Sequence, residues 1–424
     1  MNKNRIIAGI ELGSSKIATI VAQVQVNPTT FESSINVVGV AASESKGIRK
    51  GQIVDIEEAV EATISSVEAA ERMAGYNLDS AYVALGGAHV HSQNSHGVVA
   101  VSDQDGEISA DDVDRVIEAA SAISLPTSRE VIHVVPCGFV VDGEAGVKDP
   151  IGMSGVRLEV ETHIVSAARA AIKNIRKAVN EVGVEIEGMV FNGLAASYST
   201  LSSTEKELGC VLVDIGGGTT SIAAYVDGAL AYSSVIPIGA RNVTNDLAIG
   251  LRVSLESAEK IKVALSEAGE KKLKVTEENP DLIDLTDLGV TDSKKISKKT
   301  LIEGIIRPRL NEIFTMVRLD LEKAGIINRI PSGVVVTGGG AETVGITESA
   351  KRMLSLPVRI GKPKGVGGLI DDVINPAFSV PIGLIIYGAA REPMEKTSSF
   401  AKRFKLPSGG IAGKFIEAIK NLLP

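Results

Sequence analysis

The chain has 424 residues, 44% of them apolar and 23% charged, a globular composition with room for about two to three core-forming units. Aromatic residues are scarce at 3%, there is no Trp, and the formal charge is −8. These values argue against base stacking and against a basic duplex-binding face, so no nucleic-acid partner is expected. Cys137 and Cys210 cannot form a disulfide framework, which points to a reducing compartment. No apolar run approaches the ~20 residues of a spanning helix, and the N-terminal apolar run breaks on Glu11, too early for a signal peptide.

In chain order, residues 5–24 read as two strands, RIIAGIEL and IATIVAQV, joined by GSSK. A third strand is expected at 35–42, then the basic turn ESKGIRKGQIVD, then a helix over 56–74 with Ile56, Val60, Ile64, Val67 and Ala70 on its inner face. Residues 81–165 hold strand-like runs around one helix, announced by Ser109 ahead of DDVDRVIEAA, and form an inserted α+β subdomain. A helix over 166–183, the strand EIEGMVF and the helix GLAASYSTLS follow. CVLVDIGGGTTSIAAYV (210–226) then repeats the opening pattern, with Asp214 on Glu11 and a second turn two residues longer. A repeat of this kind signals a duplicated core. The chain is helical and charged from 241 to 325, where KKLKVTEENPDLIDLTD reads as a solvated loop or edge. SGVVVTGGGAETVGI (332–346) is a strand, a Gly-rich turn and a helix.

The expected fold is α/β, with two duplicated halves around a cleft. The first half takes 1–80, 166–205 and about 376–394, and the second takes 206–240 and 326–375. The insert is 81–165, a helical subdomain spans 241–325, 395–410 is a flexible linker, and 411–424 is a terminal helix.

Three glycine-rich turns carry the chemistry: GSSK (13–16), DIGGGTT (214–220) and TGGGAE (337–342). Each follows an apolar strand, where backbone N–H groups, hydroxyls and a lysine can face a polyphosphate. None matches the Walker or dinucleotide spacing. ELGSSK (11–16), DIGGGT (214–219) and TGGG (337–340) resemble the two phosphate motifs and the adenosine motif of the actin-like ATPases. The insert sequences LGGAHVHSQNSHG and DPIGMSGVRLEVETHIV, together with FNGLAASYS, ELGCVLVDIGGGTTSIA and SAEKIK, are similar to the FtsA family of bacterial cell-division proteins. That resemblance runs from about residue 5 to 395 and returns in the terminal helix.

The resemblance implies an actin-like fold that binds ATP and Mg²⁺. Gly13, Ser14, Ser15 and Lys16 would face the phosphates from one side, and Gly216, Gly217, Gly218 and Thr219 from the other. Asp214 and Glu11 would hold Mg²⁺ through water, and Gly338, Gly339 and Gly340 would admit the adenosine, with Glu259 and Lys262 beside it. Many superfamily members carry Asp where Glu11 stands, and no Gln or Glu opens the helix after EIEGMVF, so firm binding with slow hydrolysis is expected. The expected partners are the FtsZ C-terminal tail, bound through 241–325, further copies of the chain in filaments, later division proteins and an anionic membrane. Lys260, Lys262, Arg307 and Arg309 are candidates to meet an acidic peptide, against the plainer reading of solvated charges. The alternatives are a kinase or chaperone-type ATPase of the same fold, or a pilus-assembly relative.

His89 and His91 alternate on a strand, facing the same side, and read as surface polar residues rather than a metal pair; His96, His133 and His163 stand alone, and both cysteines read as buried fillers. In IAGKFIEAIKNLLP (411–424) the residues Ile411, Phe415, Ile416, Ile419, Leu422 and Leu423 gather on one arc, with Lys414 and Lys420 outside it. The helix is about 21 Å long, too short to span the bilayer; by itself it suits either docking on its own domain or lying in the membrane interface, and the resemblance implies the second, on the cytoplasmic face. Six Lys/Arg against two Glu from Glu395 onward make this tail basic, on an otherwise acidic body.

Overall fold

The two β-branched runs around GSSK pair as an antiparallel hairpin, Arg5–Leu12 with Lys16–Val26, in a computed structural model that describes residues 5–26, 33–103, 105–266, 275–276, 279–285, 295–369 and 373–391. Ser33–Glu44 adds antiparallel to the hairpin, and Ser80–Leu85 and Glu185–Phe191 add parallel on the other side. The second half repeats this plan. Cys210–Ile215 and Thr220–Val226 form the hairpin, Ala229–Ile236 extends it, and Val334–Thr337 and Val358–Ile360 add in parallel. Strand for strand the two orders coincide, and Gly367–Gly368 is one further edge on the first sheet. That last pair, expected in the second half, therefore belongs to the first half's sheet.

The two acid-led turns are equal in length, which corrects the longer second turn expected from sequence. Leu12 pairs with Ile17 and Ile215 with Thr220, so four residues close each turn. Gly13 N donates to Lys16 O (3.0 Å) just as Gly216 N donates to Thr219 O (2.8 Å).

The helix Ile56–Ala74 is capped by Asp55, whose carboxylate accepts from Glu57 N and Glu58 N, and it ends at Gly75 with φ 73°. It buries Ala59, Ala62, Thr63, Ser66, Val67 and Ala70, while Ile56, Val60 and Ile64 are half-buried. The small face wins because the helix lies close on Ser33–Glu44: a Cβ on Gly39 would stand 2.6 Å from Ala70 O. The helix Asn192–Thr200 is buried on nearly every side, against strands of both halves.

The strand Ser80–Leu85, read above as the start of the insert, is a member of the first sheet. The insert's own sheet has His91–Ala100, Arg157–Ala168, Arg129–Val141 and Glu144–Val147 in that order. The helix Ala110–Ser121 covers it through Ile108, Val116, Ala120, Phe139, Leu158 and Val160, and Ser109 and Asp112 form its capping box. The next helix starts at Arg169 rather than 166. Ser166, Ala167 and Ala168 stay in the ladder opposite Val131, Glu130 and Arg129, so sheet pairing overrides the helix preference of alanine.

The insert also touches the second half. Ser92 Oγ donates to Ser233 O (2.6 Å), a ring nitrogen of His163 bonds Ser233 Oγ (3.0 Å), and Cys137 Sγ donates to Leu230 O (3.4 Å). The stretch expected as a solvated loop or edge, 271–287, contributes strands Val275–Thr276, at a sheet edge, and Asn279–Asp284, joined by Lys295–Ser297. Buried Ile283 and Leu285 tie it to the core of the second half. The terminal helix residues Ile411, Lys414, Phe415, Ile416, Ile419, Lys420, Leu422 and Leu423, and the linker 395–410, lie outside the described residues. Among the described residues no helix is long and apolar enough to cross a membrane.

The apolar helix Ser379–Ala390 packs on the helix Asn192–Thr200 with Gly383 over the Ala195 carbonyl, where any Cβ would overlap that oxygen. Gly383→Ala is expected to lower stability by about 3 kcal/mol or more, as overpacking does. Gly304→Ala, in the π-helical stretch Ile302–Ile306 with open space around it, is expected to raise stability by up to about 1 kcal/mol by restricting the unfolded chain. Denaturant melts of both variants check the pair.

Candidate functional site

In layered α/β folds ligands gather at the carboxyl ends of the parallel strands, and here five such ends converge. Glu11, Gly86, Asn192, Asp214 and Gly338 stand at the ends of their strands and line one cavity of about 850 Å³. The same cavity brings together Gly13, Ser14, Ser15, Lys16, Gly216, Gly217, Gly218, Thr219, Glu259, Lys262, Gly339 and Gly340. Every nucleotide and metal candidate chosen from sequence is thus on its wall.

The two duplicated turns meet tip to tip. A Cβ on Gly217 would lie 2.8 Å from Ser15 Cβ, and one on Gly218 would lie 2.9 Å from Ser14 Oγ; glycine is required there by the opposing turn. Ser14 Oγ accepts from Gly51 N (3.0 Å), and Ser45 Oγ donates to Gly13 O (2.6 Å), which fixes the first turn on the segment that follows Ser33–Glu44. The second turn is fixed by the helix Arg241–Leu251, whose start donates Ala240 N to Gly216 O (2.9 Å) and Arg241 N to Gly217 O (2.9 Å). The Arg241 guanidinium donates to Ser14 O (3.4 Å), so it spans both turns.

Gly338 has φ 82°, and a Cβ there would overlap the Asp214 carboxylate; Gly340 is pressed on Ile215 in the same way. Gly339 is different. A Cβ there would meet only Ala377, at 3.7 Å. Glu259 and Lys262 form a 2.7 Å pair that is more than a surface bridge, because Thr244 Oγ1 donates to Glu259 (2.5 Å) and accepts from Lys262 Nζ (2.9 Å).

Charge is concentrated where the turns begin. Asp214 is 5% exposed; burial, followed by the neighbouring charge of Glu11, pushes its carboxyl up to about 7 against the opposing pull of Lys16. Burial also raises Glu11, offset by Lys16. Lys16 is lowered by burial, against Glu11, Asp214 and Glu342, which favour its charged form. Glu11 Oε2, Lys16 Nζ and Asn192 Oδ1 are buried without hydrogen-bond partners. An orphaned carboxylate oxygen beside a second, protonation-prone carboxylate fits a hard cation that keeps most of its water, so the residues present suit Mg²⁺.

Two family models match the chain: "SHS2 domain inserted in FTSA" over residues 87–166 and "Cell division protein FtsA" over 211–383. Relatives named cell division protein FtsA include that of Pseudomonas aeruginosa, 38% identical over 92% of this chain and 91% of the relative. That of Borreliella burgdorferi is 39% identical over 98% and 99%, and that of Escherichia coli 34% over 91% and 90%. The chain belongs to the FtsA family of cell division proteins. Its fold is the actin-like one: a chain of a PilM–PilN type IV pilus biogenesis complex superposes with TM-score 0.62 at 17% identity, covering 91% of this chain and 99% of that one. MreB5 of Spiroplasma citri bound to ADP does so with TM-score 0.50 at 14%, covering 90% and 96%. The pilus protein shares the fold at low identity, whereas the FtsA proteins share the sequence.

In this FtsA-family chain the four cations considered for an acidic peptide are already engaged. Lys260 pairs with Glu256 (2.8 Å) and Lys262 with Glu259 (2.7 Å), Arg307 with Glu303 (2.5 Å), and Arg309 binds Asp246 through two nitrogens (2.6 and 2.8 Å). His89 and His91 do not share an exposed face: His89 precedes the strand and is 9% exposed, while His91 opens the strand and is exposed. His133 and His163 are buried and partnered, the first accepting from Phe191 N (3.0 Å) and the second bonding Asn94 Oδ1 (2.7 Å) besides Ser233. His96 pairs with Glu159 (2.9 Å). Cys210 is buried and Cys137 half-buried, with thiols pushed up to about 12 and about 11 chiefly by burial, as inert fillers are.

Sequence reasoning missed Gly86, Arg241, Thr244, Pro376 and Ala377 as site residues, took Glu342 only as the end of the TGGGAE turn, and read Asn192 only as the lack of an acid. The usable signal was topological, since a residue just past a parallel strand in one half has a counterpart in the other.

A carboxyl raised from 3.8 to about 7 binds its proton more tightly folded than unfolded. Its contribution to stability is therefore present at low pH and lost as pH rises between those values. Asp214→Asn removes this loss. In metal-free buffer the stability advantage of the variant is expected to widen from pH 5 to pH 7, by at most about 1.4 kcal/mol per unit, and then to level off. Urea titrations at pH 5, 6, 7 and 8 measure it.

Proposed function

We propose that the protein is an ATP-binding filament former that tethers FtsZ to the cytoplasmic face of the membrane at the division site and recruits later division proteins. The carrying observation is the single cavity into which both acid-led turns and the TGGG turn open, in a chain of the FtsA family. The bound nucleotides of the MreB5 structures, ADP in one and AMPPNP in another, support ATP as the ligand. The phosphates would lie against Ser14, Ser15 and Lys16 on one side and Gly216 to Thr219 on the other, with the adenosine toward Gly338 to Gly340, Glu259 and Lys262. Mg²⁺, held through water by Asp214 and Glu11, would neutralise phosphate charge. Lys260, Lys262, Arg307 and Arg309 each have an acidic neighbour, so the proposed site of the FtsZ tail is the 241–325 subdomain as a whole rather than these four side chains.

The amphipathic segment 411–424 supplies the membrane contact. Burying its six large apolar side chains is worth on the order of 10 kcal/mol before the ordering of the helix is counted. One copy thus binds reversibly, and a filament adds avidity.

With anionic liposomes, the full chain is expected to carry FtsZ into the pellet, and a chain lacking 411–424 to leave both proteins in the supernatant. FtsZ that sediments equally with either chain would refute the tether. Gly339→Ala tests the adenosine placement. It has room to fold, so unchanged stability with ATP affinity lowered about tenfold is expected, whereas unchanged affinity would move the adenosine elsewhere.

A further inference from the structure

The Lys16 ammonium is buried without a hydrogen-bond partner, yet it does not float free. Its Nζ lies 3.6 Å from the centroid of the Phe378 ring. The ring face attracts the positive charge electrostatically, and Glu11, Asp214 and Glu342 support it from farther off. Phe378 closes the short turn Pro376–Phe378. The Asn375 side chain caps that turn, accepting from Ala377 N (2.7 Å) and donating to Glu342 Oε1 (2.8 Å), while Pro376 O accepts from Gly338 N (3.2 Å). One turn therefore fastens the aromatic ring to the TGGG loop of the second half while the ring faces the lysine of the first. Pro376 and Ala377 line the cavity, and the ring backs Lys16.

We propose that Phe378 is a positioning residue for the phosphate end of the nucleotide: its ring holds the Lys16 ammonium at the cavity wall while leaving the N–H donors uncommitted for phosphate oxygens. A carboxylate or carbonyl in that place would occupy those donors, and each would have to be released before a phosphate could take it. The ring fixes the charge without that exchange. Leucine would fill similar volume but offers no negative face, so the flexible lysine stem would lose its anchor. The inference rests on the nucleotide reading of the cavity.

The test is equilibrium binding of ATP and of adenosine to the purified full chain. Phe378→Leu is expected to weaken ATP about tenfold and leave adenosine unchanged, and Phe378→Tyr, which keeps the ring face, is expected to bind both as the native protein does. In a double-mutant cycle, adding Phe378→Leu to Lys16→Ala is expected to cost nothing further, because the two residues act as a unit. Should Phe378→Leu not fold, Phe378→Met makes the same comparison. Unchanged ATP affinity in the folded variant, or equal weakening of ATP and adenosine, overturns the inference while the nucleotide reading stands. A native protein that binds neither ATP nor adenosine overturns both.

Discussion

The structure depends on one contact: two glycine-led turns, each ending a strand that carries an acid, pressed tip to tip. Gly217 and Gly218 have no side chains because Ser15 and Ser14 stand where the Cβ atoms would be. That contact brings Glu11 and Asp214 close enough to raise Asp214 electrostatically, and it places Lys16 among the carboxylates. Burying such charges is costly unless something compensates. The compensation within the chain is partial, which is why three polar atoms at this point remain unpartnered.

Much of the surrounding architecture holds that contact in place. Arg241 and the start of its helix take up the carbonyls of the second turn and reach across to Ser14, while Gly51 and Ser45 hold the first. The turn at 375–378 links the TGGG loop to Lys16. Farther out, the insert grows from the first half yet hydrogen-bonds to the edge strand of the second through Ser92, His163 and Cys137. It is thus a second bridge between the halves, built on a strand edge.

The three glycine-rich turns were legible because each is local, a strand followed at once by a residue pattern with few other uses. Arg241 and Phe378 were not, since each reaches the site through packing with segments far away in the chain. The insert boundary was misread for a related reason. Ser80–Leu85 has the same apolar content whether it pairs within the insert or with Arg5–Leu12, and only the partner strand distinguishes the two. His163 and His133 likewise look solitary in sequence and become buried hydrogen-bond partners once Ser233 and Phe191 are beside them.

Periodicity and turn chemistry act over a few residues, so the duplicated α/β plan, the acid at the head of each turn, the glycines of the cavity and the amphipathic basic end of the chain can all be read from the residues alone. Only the folded chain shows that both turns have one length and touch, that Arg309 pairs with Asp246 across 63 residues, and that the ring of a phenylalanine more than 360 residues from Lys16 lies against its ammonium. Those are outcomes of distance and burial, which depend on how separate segments come to lie together.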